Sequence, residues 1–337
     1  MTERDGFGSS VSAWTDLVRL PNLPTVWTNK IVGVVLGVEA VRHAVRATST
    51  LPTDGYVGPS VIQQGLREGA GWFASYWPML WPVLVPVSLI YLGGMAMHDW
   101  CDAPRDAAEK PSRPIVRGGI TRRSAAGWAA MGLGLGLVLL LQTGLTLGVF
   151  GCVLVGLIVA YNLTHHRWFG SIVLLGLIRG WLIFGVAWCV VGVEGWRSAI
   201  ATALPIAVVM TVYVTLVSVV ARGEDGSDGT PAAVKAVAKW IVPLALVSLL
   251  WVGPRQPLAW GMAAGCGAML LLWLIGADRR VAAGQRGPAV GMYLGGITLV
   301  DAYTLALLGR PGLSAIALGL FGVALGLQRW RTAGRAT

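Results

Sequence analysis

Between Arg123 and His165 the chain carries no Asp, Glu, Lys or Arg, and other runs along it are nearly as bare. In lipid such a run has no water to satisfy its amides, so it must pair them internally as helix. Comparable apolar segments recur at about Val26–Ala40, Tyr76–Met97, Ser124–Gln142, Leu145–Tyr161 and Ser171–Val193. They continue at about Ala199–Val220, Lys239–Val252, Leu258–Ala277, Ala289–Leu308 and Leu313–Leu327. Several are shorter than the about 20 residues of a full crossing, which leaves nine to ten spans. The expected fold is therefore all-α, a multi-spanning transmembrane helical bundle. Composition agrees, with 12% charged residues where a soluble domain has about 25%.

The whole chain, 1–337, is expected to be one integral-membrane domain. Its core helices fall within 22–309, and 310–337 adds a further span and a basic tail. Residues 1–20 read as a polar lead, amphipathic around Trp14–Leu20, without the pattern of a cleavable signal peptide. Lys30 and Glu39 are placed near the ends of the first span. Residues 46–72 form the longest extramembrane segment. A net charge of +10 would suggest nucleic acid in a soluble chain, but in a membrane chain it sets orientation, so no nucleic-acid partner is expected. With the N-terminus inside, the inner segments hold Arg4 and Arg19; Arg105, Lys110, Arg113, Arg117, Arg122 and Arg123; and Arg167. They also hold Arg222, Lys235 and Lys239; Arg279, Arg280 and Arg286; and Arg329, Arg331 and Arg335. Only Arg42, Arg46, Arg67, Arg197, Arg255 and Arg310 fall outside. This asymmetry supports ten spans with both termini cytoplasmic, in a bacterial inner or cell membrane. Cys101, Cys152, Cys189 and Cys266 lack metal-type spacing and imply no disulfide framework.

One stretch interrupts the apolar pattern, His98 to Gly118. It sets Asp99, Asp102, Asp106 and Glu109 among Arg105, Lys110, Arg113 and Arg117. At helical spacing 99, 102 and 106 fall at i, i+3 and i+7, so one face carries three carboxylates. Such groups repel one another unless a cation lies between them. Oxygen ligands beside basic residues suggest Mg²⁺ shared with a phosphate. The plain alternative is a solvated loop that obeys membrane charge rules.

The order of these residues resembles the first aspartate-rich motif of the UbiA-type intramembrane prenyltransferase superfamily, Asn-Asp-x-x-Asp-x-x-x-Asp followed by Lys-x-x-Arg-Pro-x-x-x-Gly. Asp99, Asp102, Asp106, Lys110, Arg113, Pro114 and Gly118 match it. His98 stands where the family has Asn. Pro104 lies inside the motif and is expected to end or kink the helix near Asp102. After the sixth span, Glu224 and Asp228 keep the i, i+4 spacing of the family's second motif, with Asp225 between them, although Gly223, Gly226 and Gly229 disfavour helix there. Tyr161, Asn162, His166 and Arg167 are similar to a third family element, with His166 in place of Lys. Leu20-Pro21-Asn22-Leu23-Pro24, Leu177-Ile178-Arg179-Gly180 and Ala221-Arg222-Gly223-Glu224 look like the EboC-like branch.

The resemblance implies a UbiA-type fold and a Mg²⁺-dependent prenyltransferase that moves an isoprenyl group from its diphosphate to a small aromatic or lipophilic acceptor among membrane lipids. It implies catalytic roles for Asp99, Asp102, Asp106, Arg113 and Lys110. It implies metal binding by Asp102, Asp106, Glu224 and Asp228, with His98 a further candidate ligand. Diphosphate would meet Arg113, Lys110, Tyr161, Asn162, Arg167 and Arg179. Arg179, well inside a span, needs a polar partner, either diphosphate or a carboxylate such as Asp301. Two rival functions share the scaffold: a terpene cyclase, and a lipid or small-molecule transporter without chemistry.

Other signals are set aside. Gly132-x-Gly134-x-Gly136 lies inside a span and reads as close helix packing rather than a dinucleotide loop. His165 and His166 are adjacent, so they are not expected to act as paired metal ligands, and no partner stands near them in sequence. The 16 Trp residues read first as an interfacial belt, with Trp181 and Tyr213 as aromatic candidates for shielding a carbocation.

Overall fold

The computed structural model describes residues 12–48, 72–168, 170–222 and 257–333. Nine long helices appear among them: α1 (Leu23–Thr48), α2 (Trp72–Glu109), α3 (Arg122–Thr143), α4 (Leu145–Thr164) and α5 (Ser171–Val191), then α6 (Trp196–Arg222), α7 (Pro257–Ala282), α8 (Arg286–Leu307) and α9 (Pro311–Ala333). They correspond to nine of the ten expected spans. The remaining segment, Lys239–Val252, lies outside the described residues, as does most of the 46–72 stretch. Eight helices are long and apolar enough to cross a membrane, which makes this a multi-pass membrane protein.

The exception is α1, which carries Lys30, Glu39, Arg42 and Arg46. It is the centre of the bundle and packs against α2, α5, α6, α8 and α9. Val32, Val34, Val35 and Val41 on it are wholly buried. Lys30, which the sequence puts within the first span and near its end, lies within α1 and is fully buried, and its Nζ donates to the Leu84 carbonyl of α2 at 3.1 Å. A lysine at this depth stays only because a backbone acceptor meets it.

Local chemistry sets the boundaries. Thr121 caps α3, its hydroxyl accepting from the Ser124 amide at 3.1 Å. Gly144, at φ 152°, lets the chain reverse from α3 into α4. The Gly132 and Gly136 positions confirm close packing: a Cβ there would lie 2.7 Å from the Leu89 carbonyl oxygen and 2.6 Å from that of Pro86.

Of the two outcomes expected at Pro104, an end or a kink near Asp102, the end does not occur. The helix runs on to Glu109 and tolerates Pro78, Pro82 and Pro86 as well. Proline removes one amide bond, but the turns around it keep theirs. Beyond Pro104, Arg105 Nε donates to Glu109 Oε1 at 2.8 Å across the last turn.

Candidate active site

Because α2 stays helical, Asp99, Asp102 and Asp106 do share one face, and all three are buried. Two of them meet guanidinium groups and the third meets imidazole. Asp99 Oδ1 accepts from Arg19 Nη2 at 3.4 Å and from Arg113 Nη1 at 3.3 Å. Asp106 Oδ2 lies 3.8 Å from Arg113 Nε, so one guanidinium reaches two carboxylates. Asp102 faces imidazole instead. Its Oδ1 lies 2.9 Å from Nε2 of both His165 and His166, and its Oδ2 lies 3.4 Å from His98 Nε2. Asp99 Oδ2 and His165 Nε2 are buried without a hydrogen-bond partner.

The turn after α2 brings Arg113 back to this face. The Lys110 amide donates to the Asp106 carbonyl, the Arg113 amide to the Lys110 carbonyl, and Gly118 turns at φ 77°. Arg19 is a member of the site that no motif announces. The lead before α1 folds back, burying Ala13 and Leu17 against Ala96, Ile120, Ala125 and Ala129. Arg19 then takes a left-handed backbone, φ 48° and ψ 49°, its carbonyl accepting from Tyr91 at 3.1 Å. An arginine holds that conformation only where its surroundings demand it. Asp16 adds a contact to Arg117 at 3.8 Å.

The end of α4 supplies the imidazoles. Asn162 donates from Nδ2 to the Gly94 carbonyl at 3.4 Å, and its Oδ1 lies 3.1 Å from His98 Nδ1. Tyr161 stacks on His98 and His165. The expectation that His165 and His166 lack partners is overturned. The partner is Asp102 on another helix, and α4 ends at Thr164, so both rings can turn toward it. Arg222, closing α6, donates to the His165 carbonyl at 2.7 Å and to Ser171 Oγ at 2.8 Å. Arg167 is exposed at this rim. Glu224, Asp225 and Asp228 lie outside the described residues. Three of the chain's four histidines thus gather at one carboxylate, a concentration that sequence could have flagged.

Arg179 stands apart. It donates to Asn29 Oδ1 at 3.3 Å, and Asn29 Nδ2 donates to Asp301 Oδ2 at 2.7 Å. Asp301 is its partner through a relay. Trp181 donates to the Phe150 carbonyl at 3.0 Å and Tyr213 to that of Tyr293 at 2.6 Å, so both aromatic candidates tie helices together.

The profile of the UbiA prenyltransferase family matches residues 69–286. No curated protein matches the chain in sequence. Among solved structures, the apo form of a UbiA homolog from Aeropyrum pernix K1 superposes with a TM-score of 0.58 at 13% identity, covering 83% of this chain and 96% of that one. A digeranylgeranylglyceryl phosphate synthase structure gives a TM-score of 0.45 at 14% identity, covering 94% and 95%. With a family match over most of its length and the helical bundle of a UbiA homolog, the chain belongs to the UbiA prenyltransferase family.

Proposed function

We propose that this protein transfers a prenyl group from an isoprenyl diphosphate to a small aromatic or lipophilic acceptor, with Mg²⁺ as its ion. The observation that carries the reading is the set of three buried carboxylates on one face of α2, met by Arg19 and Arg113 at the end of an apolar bundle. Mg²⁺ asks for oxygen ligands. Asp99 Oδ2, buried and without a hydrogen-bond partner, and neighbouring Asp106 fit that demand, with Asp102 at their edge. Glu224 and Asp228 would add ligands from the loop after Arg222. When bound there, the ion supplies positive charge to the leaving diphosphate.

Arg113, Lys110 and Arg167 bind diphosphate oxygens, the arginines through paired N–H groups. Their fixed charge lies where negative charge develops as the C–O bond breaks and its electron pair departs with diphosphate. The apolar helices keep water from the allylic cation until the acceptor attacks and gives up a proton. In this reading the acidic end and both termini are cytoplasmic. Cysteine labelling from outside should then reach positions 50–70 and miss a C-terminal tag.

The deciding experiment incubates purified protein with prenyl diphosphates of several lengths, Mg²⁺ and candidate acceptors, reading diphosphate release and product mass. Mg²⁺-dependent release with a prenylated acceptor is expected. Release with a cyclic hydrocarbon and no acceptor would replace transfer by cyclisation. No release at any length would leave transport as the better reading.

A further inference from the structure

The hydrogen bonds around Asp102 assign a proton to each imidazole. Asn162 gives its amide hydrogens to the Gly94 carbonyl, so its Oδ1 is an acceptor facing His98 Nδ1. His98 therefore carries a proton on Nδ1, and its Nε2 lies 3.4 Å from Asp102 Oδ2. His165 repeats the pattern. Its Nδ1 lies 3.2 Å from the Tyr161 carbonyl and 3.1 Å from that of Asn162, both pure acceptors. Its Nε2 faces Asp102 Oδ1 at 2.9 Å, yet makes no hydrogen bond. His166 is the opposite case. Arg105 Nη1 lies 2.9 Å from its Nδ1, and Arg has only protons to give, so that nitrogen is the bare one and Nε2–H donates to Asp102 Oδ1.

In the neutral form of each of the His98 and His165 rings, Nε2 offers a lone pair beside the Asp102 carboxylate, whose Oδ1 already accepts from His166. The candidate ligand atoms of His98, Asp102 and His165 all lie within 4.8 Å of one another. Two ligands on one zinc ion, each at about 2.0–2.1 Å, are at most about 4 Å apart, so closure needs only small side-chain rotations. Nδ1 bound to a carbonyl oxygen with Nε2 left free is the arrangement that orients a histidine toward a metal.

We propose that His98, Asp102 and His165 bind one divalent first-row transition-metal ion of the Zn²⁺ or Co²⁺ class, while Asn162 and His166 hold two of these ligands in place by hydrogen bonding. Two nitrogens and one carboxylate select such an ion over Mg²⁺, which prefers oxygen. This site is distinct in chemistry from the oxygen ligands of Asp99 and Asp106, and it goes beyond the prenyl-transfer reading.

The test uses the full chain, purified in detergent, stripped with a chelator and titrated with Co²⁺ at neutral pH. Visible absorption bands should saturate at about one equivalent, vanish on adding a small excess of Zn²⁺, and persist in millimolar Mg²⁺. His165→Ala and His98→Asn should each weaken Co²⁺ about 100-fold or more, and His166→Gln about 10-fold. Helical circular dichroism identifies any variant that fails to fold, and the wild-type and His98→Asn titrations then decide alone. Absence of a saturable band, displacement by Mg²⁺, or unchanged affinity in folded His98→Asn overturns the proposal; such loss would mean protons alone hold this cluster. Diphosphate release is read separately, so a protein that takes up Co²⁺ but cleaves no prenyl diphosphate still upholds the site.

Discussion

Two of the places where the described bundle buries charge are built on opposite rules. At the end of α2, the three carboxylates meet cations that are themselves partly exposed: the side chains of Arg19 and Arg113 are each 28% accessible. In the middle of the bundle, Lys30, Asn29, Arg179 and Asp301 are all buried; Arg179, Asn29 and Asp301 are joined by hydrogen bonds, and the Leu84 carbonyl accepts from Lys30. The first group can exchange a partner for a ligand without opening the fold. The second cannot, because its members depend on buried protein partners in place of solvent. Burial of charge alone therefore does not mark a site; what marks it is a partner that can be released.

The largest effect should come from breaking the central group. Asp301→Ala strands Asn29 and removes negative charge near Arg179, with an expected loss of about 3–5 kcal/mol in unfolding free energy measured in detergent. Asp301→Asn, which keeps an acceptor, should lose less. Wild-type stability in the alanine variant would break the contrast. At the end of α2 the loss should appear in chemistry instead. Asp102→Ala and Asp106→Ala should each lower diphosphate release about 100-fold or more, equivalent to about 2.7 kcal/mol of barrier, with an unfolding midpoint closer to wild type than that of Asp301→Ala. Asp228→Ala should be severe and Asp225→Ala milder; equal tolerance at all of these positions would leave the enzymatic reading without support.

A smaller effect should follow from Gly136→Ala. The new Cβ would lie 2.6 Å from the Pro86 carbonyl oxygen, so α2 must shift, at about 1–3 kcal/mol. Because α2 carries the acidic face, unfolding and diphosphate release should suffer together there. The smallest is Tyr213→Phe, which deletes the bond to the Tyr293 carbonyl for about 1 kcal/mol or less in a thermal or denaturant unfolding measurement.

Much of the architecture is legible in the sequence because lipid leaves so few choices. Runs such as Ser124–Gln142 can only be helix, and the i, i+3, i+7 spacing of Asp99, Asp102 and Asp106 by itself puts them on one face. What sequence does not carry is what crosses the bundle. Arg19 reaches Asp99 over a separation of 80 residues, and His166 meets Asp102 over 64. Adjacent histidines look unpromising as long as helical geometry splays them, but α4 stops at Thr164 and frees them. Pro104 misleads in the opposite sense: a local rule allows an end or a kink there, and α2 runs on past it to Glu109. Lys30 can be placed in the first span from sequence, but the acceptor that admits it belongs to a different helix.

The central position of α1 has a consequence for biogenesis. Among the described long helices it leaves the ribosome first and is the least suited to lipid by itself, since a lysine at a span centre costs about 2.5–3.5 kcal/mol in translocon insertion. Its acceptor on α2 is made soon afterwards, but the bond from Asn29 to Asp301 waits for another 272 residues of chain. Until α8 is synthesised, α1 has the start of its final seat and not the end. A polypeptide interrupted before α8 is thus left with exposed polar groups in the bilayer, the kind of signal by which membrane quality control can tell an unfinished chain from a finished one.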